Sequence, residues 1–527
     1  MREDMMEHRN KIHTRHKSRG RLFLAAALAL GFLFMLYGTK SSPLYPMNDN
    51  CDLNIFKTMG RGILDGIVPY RDLYEQKGPL LFFLHALLSL FFPGSYLGDY
   101  LLESLLFGLF LYYCGRITAL YVKNPLAPWL SMLFLATVLP CSRLFHNSGT
   151  IEQLFLFALP LSLFPILRAI REGRLLNFRE GFLIGTLAAM GFWTKYTFSG
   201  FFGALALFVV LWYISRRQAG EVPRAALSML EGFAAISLPL LLYFAANRAL
   251  GDLFDVYFRQ NMTAYARREL GPLAYISQSL SYVYHSNLKI FSWTFWPGAG
   301  LLLFGFLKHW RESLAVLLSF LGLAVTTYCC SPGYTYYGLI LAPFALTGVV
   351  GILMGVEAVL CVALRKIPFW QSLRQSHNLQ SRRATAILLT VFLLLAAGGV
   401  WLVRQNAPDA YLLGYKIEDF PQYQFGQIMR QKPQATMLHY YALDNGFYFM
   451  GNARPVNRYF CYFNINPPEL LPEQQAVIEK REVDFVVALE NTLPKKILEK
   501  SGYRMVKQMD FPFGNANYSY YLYKKIE

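Results

Sequence analysis

Between Asp49 and Pro79 the chain reads DNCDLNIFKTMGRGILDGIVPYRDLYEQKGP, a polar segment set against a long apolar run. It gathers the carboxylates Asp49, Asp52, Asp65, Asp72 and Glu75 beside the cations Lys57, Arg61, Arg71 and Lys77. A carboxylate can take a proton from an attacking hydroxyl, and cations can hold the negative charge that grows on a departing phosphate. Where a membrane helix meets water, that mixture suits chemistry on a phosphate carried by a lipid. Four later polar stretches add candidates. HNSGTIE brings His146, Asn147 and Glu152. Lys195 and Tyr196 follow. A longer stretch carries Arg259, Asn261, Tyr265, Arg267 and Arg268, and Tyr334, Tyr336 and Tyr337 close the series.

The elements that must position these residues are membrane helices. Hydrophobic residues make up 54% of the 527 and charged residues 16%, a balance rare in a soluble chain. Apolar runs of helical length recur through the first four-fifths and then stop. This predicts a polytopic α-helical membrane protein with a soluble C-terminal α/β domain. Helices are expected near 21–39, 98–121, 126–143, 150–170, 180–196, 198–215, 225–249, 288–307, 313–331, 337–362 and 385–403, about eleven spans. The first run is too long for a signal peptide and lacks the cleavage pattern, so it is read as an anchor.

The net charge of +17 does not indicate nucleic acid. Lys and Arg cluster in the first twenty residues, at Arg168–Arg174, Arg216–Arg217 and Lys308–Arg311, and across 365–383. These are connections between apolar runs, which is the positive-inside pattern. It puts residues 1–20 in the cytoplasm and the tail beyond the opposite face of a cell membrane. The organisation is then a transmembrane domain at 21–404, with a first outer loop at 40–97, and an outer α/β domain at 405–527. Residues 80–92 form about thirteen apolar positions, too few to span, and are read as an interfacial or re-entrant helix. In the tail, QYQFGQIMRQ, PELLPEQQAVIEKRE and PKKILEKSG read as helices; TMLHYY, DFVVALE, YRMVKQMDF and NYSYYLYKK read as strands. No CxxC pattern appears among the cysteines. Cys51 and Cys461 both fall outside the membrane, where a disulfide would be compatible with their placement.

The stretch from Asp52 to Leu81 resembles the first outer loop of GT-C membrane glycosyltransferases, in the bacterial family 39 branch. That branch is related to protein O-mannosyltransferases and the lipid A aminoarabinose transferase. The motif is Asp, a short apolar stretch, G-x-x-x-x-x-G-x-x-P-Y-x-D, then K-x-P. Here it is met by Asp52, Gly60, Gly66, Pro69, Tyr70, Asp72, Lys77 and Pro79. Asn147–Glu152, Lys195, Asn261 with Tyr265, and YYGLILAPF from Tyr336 follow in order, so the resemblance covers roughly residues 20–365. At the second acidic position the aminoarabinose-type enzymes carry Asp, and this chain carries Glu152.

The resemblance implies inverting transfer of a sugar from a polyprenyl-phosphate carrier to an acceptor on the outer face: a lipid, a cell-wall glycan or a protein. Asp52 is the expected base, with Glu152 as its catalytic companion. Arg61, Arg71, Lys77 and Lys195 are expected at the donor phosphate. Asp49, Tyr70, Asp72, Asn261, Tyr265 and Tyr337 are expected at the substrate. A divalent metal ion held by Asp52 and Glu152 is compatible with carboxylate chemistry.

Each residue also has a plainer role. Asp52 can cap a helix, and Glu152 suits a first helical turn. Asp72 and Glu75 can pair with Arg71 and Lys77. Lys77 and Lys195 can be interface anchors, and the Tyr334–Tyr337 group an aromatic belt. The rival classes are a transporter or flippase of lipid-linked sugars and a non-catalytic scaffold. A transporter would show internal repeats and mid-membrane charges, whereas these charges gather at one interface.

Overall fold

The computed structural model describes residues 2–265, 272–285, 292–328, 334–365, 382–513 and 516–527. Its helices are α1 (Arg2–Gly38), α2 (Cys51–Leu64), α3 (Pro79–Phe91), α4 (Leu97–Tyr121), α5 (Ala127–Val138), α6 (Ile151–Phe155), α7 (Ala158–Arg171) and α8 (Phe178–Thr194). There follow α9 (Ser199–Ser215), α10 (Val222–Ala246), α11 (Leu250–Leu253), α12 (Pro272–Val283), α13 (Ser292–Lys308), α14 (Trp310–Tyr328), α15 (Ala345–Arg365) and α16 (Arg382–Asn406).

Among the described residues seven helical stretches are long and apolar enough to cross a membrane: Gly20–Gly38, Leu97–Tyr121, Ile151–Arg171, Tyr196–Ser215, Ala219–Ala246, Thr335–Leu360 and Ala386–Asn406. Shorter apolar helices occupy Pro79–Phe91, Ala127–Val138 and Thr294–Gly305. The chain is thus a multi-pass membrane protein. Each stretch expected from sequence as a span contains a helix, but α5, α8 and α13 are too short to reach the length of the seven.

The polar segment after α1 folds as a helical hairpin. Asn50 caps α2, its side chain accepting from Leu53 N at 2.9 Å. Asp52 is therefore not the cap; it sits in the first turn, where the helix dipole favours a carboxylate. Pro79 opens α3, a position that needs no backbone N–H. At 13 residues α3 is about 20 Å long, short of a hydrocarbon core of about 30 Å. The two helices touch at Gly60, where a Cβ would lie 2.5 Å from Ala86 N.

The tail builds a four-stranded sheet of β1 (Met437–Tyr440), β2 (Phe485–Leu489), β3 (Tyr503–Phe513) and β4 (Ala516–Lys525), in the order β1-β2-β4-β3. β1 and β2 are parallel, with Met437 opposite Phe485; the other pairings are antiparallel. Side chains alternate between the faces. Met437, Phe485, Val487 and Leu522 join the core that continues into the helices. Leu438, Val486, Ala488 and Tyr523 pack with Val477, Ile478 and Leu498 in a second, smaller core.

That sheet unit sits on the first loop. Tyr74 N donates to Arg458 O at 2.9 Å, and Ile465 N to Gln76 Oε1 at 3.0 Å. The Arg61 guanidinium donates to Tyr448 O and Asn452 Oδ1. Cys51 and Cys461 are free thiols, with no disulfide between them.

Candidate active site

Two loops bring two lysines together. Lys77 precedes the start of α3, and Lys195 ends α8, where a cation complements the helix dipole. Gly78 joins the loops: its N–H donates to Thr194 O at 3.0 Å, and a Cβ there would lie 2.1 Å from Trp193 O. Only glycine allows this approach. Gly78→Ala is expected to cost about 1–3 kcal/mol of stability and to lower turnover by parting the two lysines. Thermal unfolding and turnover of the same preparation check this.

The lysines open on a crevice with about 510 Å³ of unfilled space, lined also by Gln76, Asn261, Thr326, Thr327 and Tyr337. Asn261 lies on a π-helical segment, Phe254–Tyr265. Its amide donates to Gln76 O and Tyr257 O, both at 2.8 Å, which fixes the backbone beside Lys77. The Lys195 ammonium lies 2.5 Å from Glu152 Oε1 and 3.4 Å from the Tyr337 ring centroid. The hydroxyls of Thr197 and Thr327 line the same crevice without a hydrogen-bond partner among the described residues. Two ammonium groups, each beside a carboxylate, and two hydroxyls thus face one crevice among the described residues, and the threonines carried no motif that sequence reasoning could use.

A second cavity, with about 1020 Å³ of unfilled space, opens between the helices and the tail. Asp52, Asn147, Arg143, Tyr334 and Tyr336 line it from the helical side; Leu443 and Asn464 line it from the tail. The Asp52 side chain is 19% exposed. Lys77 Nζ stands 3.9 Å from Asp52 Oδ1, so crevice and vestibule meet at this pair. Arg143, Leu443 and Asn464 lie outside every motif, and the tail residues enter the site through tertiary packing alone.

Other expected site residues stand elsewhere. Tyr70 is buried; its hydroxyl donates to Lys77 O at 2.7 Å, and its φ of 70° is strained for a residue with a Cβ. It holds the lysine loop and does not line either cavity. Arg71 pairs with Asp72 at 2.7 Å and donates to Asn247 O, and Asp72 also accepts from Val68 N. Arg61 is committed to the tail. Asp49 is buried against Lys40 at 2.6 Å, and Lys40 also faces Asp409, which holds His146 at 2.9 Å. The Tyr265 side chain, Arg267 and Arg268 lie outside the described residues.

Glu152 is not a helix cap either, since Thr150 takes that role for α6. It is 1% exposed and fully engaged by Lys195. Among the described residues no group of three or more His, Cys, Asp or Glu side chains gathers as a metal ion would require. The Asp52–Glu152 pair, with Lys195 on Glu152 and Lys77 near Asp52, does not fit a divalent ion.

Glu75 stands beside Lys77, the partner expected for it. It is buried, and its Oε1 accepts from Lys77 N at 3.1 Å. Burial, opposed by Lys77 and reinforced by Asp52, pushes its carboxyl from 4.5 to about 7. The folded chain thus keeps this proton to higher pH than the unfolded chain. The resulting stability is complete below about pH 4.5 and is lost as pH rises through about 7, on the order of 3 kcal/mol in all. Thermal unfolding across that window should fall more steeply for wild type than for Glu75→Gln; identical slopes would assign the titration elsewhere.

Helical bundle, first-loop hairpin and seated sheet together define a multi-helix membrane fold with a small mixed sheet at its C-terminal end. Its structural counterpart is ArnT. The crystal structure of ArnT from Cupriavidus metallidurans bound to undecaprenyl phosphate aligns with a TM-score of 0.54 at 14% identity, covering 95% of this chain and 97% of that one. The apo structure of the same protein gives 0.55 at 16% identity, over 96% and 98%. No protein-family model matches the sequence, and no curated protein matches it either. The likeness is one of fold over nearly the full length.

Proposed function

We propose that the chain transfers a sugar from a polyprenyl-phosphate carrier to an acceptor hydroxyl on the outer face of a cell membrane. The observation that carries this is the meeting of the two cavities at Lys77 and Asp52, 3.9 Å apart. The donor phosphate lies in the crevice against Lys77, Lys195, Thr197 and Thr327, with Tyr337 and Asn261 shaping the wall. The acceptor enters through the vestibule beneath the tail. Asp52 takes the acceptor proton, the acceptor oxygen bonds to the anomeric carbon, and the carbon–oxygen bond to phosphate breaks. The electron pair stays on the phosphate, where the cations hold it. The configuration inverts when the acceptor oxygen attacks the anomeric carbon on the face away from the departing phosphate.

The ArnT structure with undecaprenyl phosphate supports the carrier class, because that protein has the same fold. Basic connectors support eleven spans, a cytoplasmic N-terminus and an outer tail beginning near residue 405. The test is incubation of the purified full chain with a panel of polyprenyl-phosphate sugars and candidate acceptors. Acceptor-dependent release of polyprenyl phosphate is expected from at least one donor. Transbilayer movement of a lipid-linked sugar without such release would reject transfer in favour of transport.

A further inference from the structure

A third cavity lies at the far end of the bundle. α14 carries Thr327 at the crevice and Glu312 at its other end. Fifteen helical residues separate them, about 22 Å. There α4, α7, α13, α14 and α15 line an open-sided cleft whose non-atom space, open solvent included, is about 900 Å³. Ile117, Leu163, Leu167, Leu301, Val316 and Val350 are among its walls. It follows α7 from Leu159 to Arg171, about 18 Å, and shares no residue with the crevice.

Its mouth is basic. Arg171, Lys308, His309 and Arg311 surround an adjoining surface hollow with Glu312. The carboxylate is mostly buried and faces His309 Nδ1 at 3.7 Å. Arg171 lies over the Tyr121 ring at 4.4 Å, and Arg311 over Trp310 at 5.0 Å. Among the described residues neither Arg171 nor Lys308 forms an ion pair with a carboxylate.

An apolar cleft open along a helical bundle leaves its wall without contacts until hydrocarbon covers it. A space so apolar does not fill with water. What fits is a hydrocarbon chain ending in a negative charge at the membrane surface, since basic pockets between membrane helices take anionic headgroups. The geometry points to a binding site for an anionic glycerophospholipid in the leaflet opposite the crevice. One acyl chain fills the cavity, and the phosphate sits between Arg171 and Lys308. The cavity length suits one ordinary acyl chain, whereas a polyprenyl chain would overrun it. This site is independent of the sugar-transfer reading.

Native mass spectrometry of the purified full chain tests it, with phosphatidylglycerol and phosphatidylcholine of matched chains. Wild type should retain phosphatidylglycerol in clear excess. Arg171→Ala with Lys308→Ala should lower that retention by about thirtyfold and leave phosphatidylcholine unchanged. Leu167→Trp, which fills the cavity, should displace the chain; the double variant lies at the surface and decides the matter should Leu167→Trp misfold. Asp52→Asn should retain the lipid as wild type does. Equal retention of the two lipids, no change in the double variant, or displacement by inorganic phosphate or by an equal concentration of polyprenyl phosphate would each overturn the assignment.

Discussion

Asp52→Asn is expected to lose about a thousandfold in turnover, the usual worth of a general base, while polyprenyl phosphate still binds. The exchange keeps the shape of the side chain and removes only its ability to accept a proton. Asp52 is not the cap of α2, because Asn50 already serves its open N–H groups, so the fold should survive. Among the described residues its close ionic partner is Lys77 at 3.9 Å, too long a contact for much stability to be lost with it. Turnover with a defined donor, measured beside binding of polyprenyl phosphate, gives the answer. Turnover within a few-fold of wild type would remove Asp52 from the chemistry.

Lys195→Met carries the second large effect, and it is twofold. The substitution leaves Glu152 buried and unpaired, and breaking a buried pair this way costs about 3–5 kcal/mol. It also removes one of the two cations in the crevice, so affinity for polyprenyl phosphate should fall. Glu152→Gln added to Lys195→Met separates the parts. The neutral amide no longer needs a counter-ion, so stability should return in the double variant while affinity stays low. Recovery of both would make Lys195 a purely structural partner of Glu152. Thermal unfolding and lipid-phosphate binding, measured on all three variants, distinguish these cases.

The division between readable and unreadable residues follows physical range. Apolar runs located a helix in each expected span but not α2, α11 or α12, because burial in lipid is written in composition over about 20 residues. Alternation located the tail's strands, since the period of two is local. The motif found Lys77, Lys195, Asn261 and Tyr337, and all four line one crevice. Spacing was mute on direction. Arg61, Arg71, Asp72, Asp49 and Tyr70 share the same loop as Asp52, yet each is taken up by a structural partner. Glu75 stands beside Lys77 as a pairing residue would, and its burial, which raises the carboxyl, is decided by tertiary packing alone.

The sequence by itself determined that this is a multi-pass membrane protein with a mixed α/β tail, and which loops bear charge. Hydrophobicity and periodicity act over neighbouring residues, and they are complete in the chain as written. Only the tertiary structure decided which charges face a cavity and which face one another. It turned Asp52 toward the vestibule and Glu152 onto Lys195, and it brought Asn464 of the tail over the first loop. Such choices rest on contacts between residues hundreds of positions apart, where burial selects the partner and local pattern carries no trace of it.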